Sequence, residues 1–81
     1  MLEEIEIFIF AVLSKANGKT IEEISDETGI REEVVKTILE LLRCFDVVEE
    51  YNGKYYSKYR EVAKLILDLK LRNIPDEYIR N

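Results

Sequence analysis

TIEEISDETGIREEVVKTILELL, residues 20–42, is the stretch from which the fold can be read. Thr20, followed three residues later by Glu23, forms a capping box. The Thr hydroxyl can accept from the Glu23 backbone N–H, and the Glu23 carboxylate can reach back to the Thr20 amide. A helix is predicted from there to about Thr28, burying Ile21 and Ile24. Gly29 then permits a sharp turn, because it has no Cβ to oppose a left-handed backbone. A longer helix is predicted over about 31–45. Val34, Ile38, Leu41 and Phe45, with Val35 and Leu42, make its buried side. Glu32, Glu33, Lys36, Thr37 and Glu40 fall opposite. The connection between the two helices is too short for an ordinary antiparallel pair and suits a tight angular turn.

Upstream, residues 3–16 read as a first helix. Ile5, Phe8, Ile9, Val12, Leu13 and Ala16 recur at the spacing of a core face. Ile7 and Phe10 lie off that face as a second, shorter apolar stripe. Asn17-Gly18 stops the helix, since both tolerate the left-handed conformation at a helix end. Downstream, VVEEYNGKYYSK, residues 47–58, places Asn-Gly between two β-type runs. That pair signals a hairpin, because the turn needs positive φ at both central residues. Residues 59–73 read as a final helix, and Pro75 helps to end it. That helix is apolar on two sides: Val62, Leu65, Ile66 and Leu69 on one, Leu67, Leu71 and Ile74 on the other.

The order helix, helix, helix, hairpin, helix resembles the winged helix-turn-helix family. Residues 20–42 look like the family's T-x-x-E-I-x-x-x-T-G-I-x-x-x-x-V-x-x-x-L-x-x-L core, and residues 47–58 look like its wing. The chain is then a single domain over residues 1–81, mainly α with a small β-hairpin. Its helix-turn-helix covers about 20–45, its wing about 47–58 and its C-terminal helix about 59–73. It is similar in this to small MarR-like or ArsR-like transcription regulators, common in archaea and their viruses. The resemblance implies double-stranded DNA as partner. The helix after the turn would enter the major groove and the wing would hold the backbone. The positions carried over are Arg31, Glu32, Lys36 and Thr37 on that helix and Lys54 at the wing tip. The same fold also serves as a protein-docking module, so a basic protein partner with little or no DNA binding is the alternative.

This sequence departs from the family at the start of that helix, where Arg31, Glu32 and Glu33 stand in place of a Ser or Thr cap. Two carboxylates in a first turn interact favourably with the helix dipole, by about 0.3–1 kcal/mol each. They also spoil a natural phosphate site. Alternatively, a carboxylate can accept from cytosine N4 in the major groove. The wing carries compensating charge: residues 51–60 hold Lys54, Lys58 and Arg60 and no acid, interleaved with Tyr51, Tyr55, Tyr56 and Tyr59. Lys54, Tyr56 and Lys58 are the candidate phosphate contacts. Tyrosines also build strands, and at least one must pack inward. Lys15, Lys19 and Lys36 would extend the patch if the fold brings them near.

The two-sided apolar helices predict a homodimer through the first and last helices. Ile7, Phe10, Leu67, Leu71 and Ile74 are its candidate contacts. The competing reading folds the C-terminal tail, with Tyr78 and Ile79, over the stripe.

Composition narrows the remaining classes. In 81 residues there are 17 acids and 12 bases, a formal net charge of −5. The excess is in residues 1–30, where seven acids face only Lys15 and Lys19. No basic tail or polybasic membrane patch is present. There is one cysteine, Cys44, and no histidine, so an internal disulfide and a zinc-type cluster are both excluded. Cys44 reads as a semi-buried, inert thiol, and its solitude fits a reducing cytoplasm. Residues 1–18 are interrupted by glutamates and lack a basic start, so they read as a core helix rather than a signal peptide or a membrane span. Frequent charges and the lack of Gln lean toward a thermophile. No Gly-rich phosphate loop or spaced carboxylate pair is seen, so neither an enzyme nor a cofactor is expected.

Overall fold

The computed structural model describes residues 2–72, and their side chains from residue 4. Four helices and three short strands follow in the order α1 (Leu2–Lys15), β1 (Asn17–Lys19), α2 (Ile21–Thr28), α3 (Glu32–Cys44), β2 (Val48–Tyr51), β3 (Lys54–Ser57) and α4 (Arg60–Arg72). This is the layout of a winged helix: mainly α, with a hairpin between the third and fourth helices. The predicted contributions of Ile74, Pro75, Tyr78 and Ile79 lie outside the described residues.

Local chemistry sets the α2–α3 unit. Both halves of the capping box form: Glu23 N donates to Thr20 Oγ1 at 3.2 Å, and Thr20 N donates to Glu23 Oε1 at 2.9 Å. Gly29 adopts φ 76° and donates its N–H to the Ser25 carbonyl at 2.8 Å. Thr28 completes the turn. Its hydroxyl donates to the Ile24 carbonyl at 2.8 Å and accepts from Ile30 N at 3.2 Å. Ile30 is thereby delivered into the core. The hairpin turn has the positive φ values that Asn-Gly predicts, 55° at Asn52 and 80° at Gly53. The Glu50 carboxylate closes it by accepting from Gly53 N at 2.7 Å.

A third strand is not visible in the sequence. β1 pairs antiparallel with β3 through a register irregularity, giving the strand order β1-β3-β2. Asn17-Gly18 therefore does more than stop α1. Gly18, at φ 74°, sits against the Tyr56 ring, where even a Cβ would lie 3.4 Å from it. Ser57 N donates to the Ala16 carbonyl at 2.8 Å, fastening the wing to the end of α1.

The core gathers around the second half of α1 (Val12, Leu13, Ala16), with Ile24, Ile30, Val35, Ile38, Leu39, Leu42, Val48, Tyr55 and Ala63. Two stripes differ from expectation. On α3 the buried row is Val35, Ile38, Leu39 and Leu42. Leu39 is fully buried, whereas Leu41 is 49% and Phe45 70% exposed. The row is centred between Val35 and Leu42, so at roughly 100° per residue Leu41 and Phe45 fall on its flank, in line with Thr37. On α1, Ile5 and Phe8 are exposed rather than core. Glu6 pairs with Lys70 at 2.7 Å, which ties the start of α1 to the end of α4, away from the core around Val12. Phe10 instead packs against that core. On α4, Val62, Leu65 and Leu69 are exposed, Ile66 is half-buried and Ala63 is buried. Cys44 is exposed, not semi-buried, because it ends α3 outside the buried row.

Candidate nucleic-acid interface

α3 is held by its apolar row and leaves its other side open. Arg31, Glu32, Glu33, Lys36, Thr37, Glu40 and Leu41 are all exposed. Arg31 is the N-cap and its side chain makes no capping hydrogen bond. The first-turn N–H groups thus lack the partner that Thr20 gives α2. Glu32 and Glu33 sit where carboxylates offset that deficit through the helix dipole. This favours the structural account of the two acids.

Beside α3, the hairpin sends alternate side chains inward and outward. Val48, Tyr55 and Ser57 are buried. Tyr55 is thus the tyrosine that packs inward. Its burial first, then the neighbouring Glu50 carboxylate, holds its hydroxyl above the ordinary tyrosine value, so it remains a donor. Tyr51 and Lys54 are opposed in the ladder, as are Glu49 and Tyr56, so these four share the outer face. The Tyr51 and Tyr56 rings meet edge-on, their centroids 5.9 Å apart. Tyr51 Oη donates to Glu49 Oε1 at 3.1 Å. Both wing glutamates are therefore engaged within the hairpin, Glu49 with Tyr51 and Glu50 with the turn. Lys54 and Lys58 are exposed at its two ends.

A groove of about 570 Å³ separates the start of α3 from the hairpin tip. Glu22, Glu32, Glu33, Lys36, Gly53 and Tyr55 line it. Glu32 and Glu33 thus share this groove with the wing tip. Thr37, Glu40 and Leu41 belong to the open side of α3 beyond the groove.

The expected extension of the basic patch is only partly realised. Lys36 stands on α3. Lys19 pairs with Glu27, and Lys15 lies 3.9 Å from the same carboxylate. The hydrogen bond from Lys19 is the main reason that the Glu27 carboxyl is held below its usual value. Among the described residues, Arg31, Lys36, Lys54 and Lys58 form no ion pair. Elsewhere, Lys15, Lys19, Arg60, Lys70 and Arg72 are each paired with a carboxylate, and Arg43 and Lys64 are not. The sequence signals Arg60–Glu61 and Arg72–Asp68, which are local, but not the pairs of Lys15, Lys19 and Lys70, which only the fold brings together.

Of the candidate dimer contacts, Ile7, Phe10 and Leu67 are half-buried, and Leu71 is exposed. The exposed large apolar side chains of α1 and α4 are Ile5, Phe8, Val62, Leu65 and Leu69, with Leu71 on the other side of α4. Among the described residues no helix is long and apolar enough to cross a membrane, and no group of acidic or cysteine side chains could hold a metal ion. Comparisons with protein-family models, curated proteins and solved structures find no match to this chain.

Proposed function

We propose that this chain is a sequence-specific double-stranded DNA-binding protein, acting as a dimeric transcription regulator. α3 enters the major groove and the hairpin holds the neighbouring backbone. The partition of ion pairs carries the reading. Arg31, Lys36, Lys54 and Lys58, around α3 and the wing, have no carboxylate partner among the described residues, while five of the other seven described cations have one. Free lysine and arginine side chains on one surface are what phosphate contact requires. Because Glu32 and Glu33 line the groove, phosphate contact falls to Lys54, Lys58 and Arg31 rather than to the N–H groups that open α3.

The exposed apolar side chains Ile5 and Phe8 on α1 and Val62, Leu65 and Leu69 on α4 support the dimer. A second copy of the same surface would cover them. A two-fold dimer would address half-sites about 34 Å apart. The acid-lined groove favours a second reading, a docking module for a basic protein segment.

Fluorescence anisotropy with duplex DNA over a salt series tests the first reading. Affinity should fall steeply with salt, with a log–log slope near −0.9 per phosphate contacted. Absence of binding at low salt rejects it.

A further inference from the structure

The open side of α3 has a chemical bias that bears on which bases it reads. The Thr37 hydroxyl donates its single proton to the Glu33 carbonyl at 2.8 Å. Its oxygen is then left only as an acceptor, beside a methyl group. One turn further along the same row stands Leu41, half exposed and purely apolar. Glu40, between them in sequence, is also acceptor-only when ionised. Beyond the groove, this side of α3 therefore presents acceptors and hydrocarbon. Thr37, Glu40 and Leu41 supply no donor to match the guanine O6 and N7 acceptors; the donors on α3, Lys36 and Arg43, stand to the side of this row, about 100° or more round the helix from Thr37.

In the major groove the A·T pair is the one that suits such a surface. Its edge carries the adenine N6 amino donor and the thymine 5-methyl group. The rise from Thr37 to Leu41 is about 6 Å, roughly two base steps. Resting on the DNA-binding reading above, we infer that the outward row of α3 recognises A·T pairs. Thr37 accepts from an adenine N6 amino group and Leu41 covers a thymine 5-methyl group.

The test starts by selecting duplexes from a randomised pool with the full chain. Binding is then compared after single replacements in the selected site. Thymine→uracil removes only the 5-methyl group, and adenine→purine removes only the 6-amino group. Wild-type protein should lose about three- to five-fold on the first, the worth of one buried methyl. It should lose about two- to ten-fold on the second, the worth of one hydrogen bond. Leu41→Ala should abolish the thymine–uracil difference and keep the adenine–purine difference. Thr37→Val should do the reverse. Both side chains are exposed, so the fold is retained. Selected sites without A·T preference, or variants that discriminate as wild type does, overturn the inference while leaving DNA binding intact. Failure to bind any duplex overturns the underlying reading as well.

Discussion

The α2–α3–hairpin half and the α1–α4 half treat their apolar side chains differently. In the first, the buried row of α3 closes against α2 and the sheet, and what remains outside is mostly polar. In the second, two packed helices leave Ile5, Phe8, Val62, Leu65, Leu69 and Leu71 in the open. The first half buries its main apolar row, leaving Leu41 and Phe45 as its exposed aliphatic and phenyl side chains, and it carries cations that form no ion pair among the described residues. On the proposed reading, a second copy covers the open surface of the second half; recognition belongs to the first half and assembly to the second.

The largest effect that could break this contrast is on assembly. Leu65→Glu should dissociate the dimer in sedimentation equilibrium while preserving the helical circular dichroism. With two symmetry-related leucines lost, about 3–6 kcal/mol of association should disappear. An unchanged mass would remove assembly from α4. Next in size is the core. Leu39→Ala should cost about 2–5 kcal/mol in chemical denaturation, whereas Leu41→Ala, two residues away, should stay within about 0.5 kcal/mol. Equal costs would mean that α3 is rotated about its axis relative to this account. Smaller still is the cap: Thr20→Ala should cost about 1 kcal/mol. The smallest effect concerns pH. Glu27 has its carboxyl lowered by Lys19, so the folded state favours its ionised form. Its contribution is complete above the unfolded value of 4.5 and fades as pH falls through the lower folded value. Lys19→Ala should flatten the pH dependence of stability in that acid range, a change read from denaturation midpoints between neutral and acid pH.

The features legible in the sequence are those whose partners are close in the chain. Thr20 and Glu23 find each other across three residues. Gly29 and Asn52-Gly53 declare their backbone angles by residue type. These sufficed for the helix-turn-helix and the wing. Choosing between Leu39 and Leu41 was a different matter. Both stand in an apolar-rich helix, and only packing against α2, the sheet and α1 selects the first. β1 escaped notice because Asn17–Lys19 is too short to show alternation, and its pairing with β3 spans the whole helix-turn-helix. At the candidate site, Lys36, Lys54 and Lys58 were legible as cations. The capture of Lys15 and Lys19 by Glu27 depends on how α2 lies against β1 and the end of α1. Arg31 as an unassisted cap was legible, and it explains Glu32 and Glu33 without any ligand.

The division between a recognition half and an assembly half is most directly tested by nuclear magnetic resonance. Duplex DNA is titrated into 15N-labelled protein at low salt and amide shifts are followed residue by residue. Perturbations should concentrate at Arg31–Leu41 and Asn52–Lys58, with α1 and the middle of α4 unmoved. A silent titration, or shifts confined to Ile5, Phe8, Leu65 and their neighbours, would contradict that division.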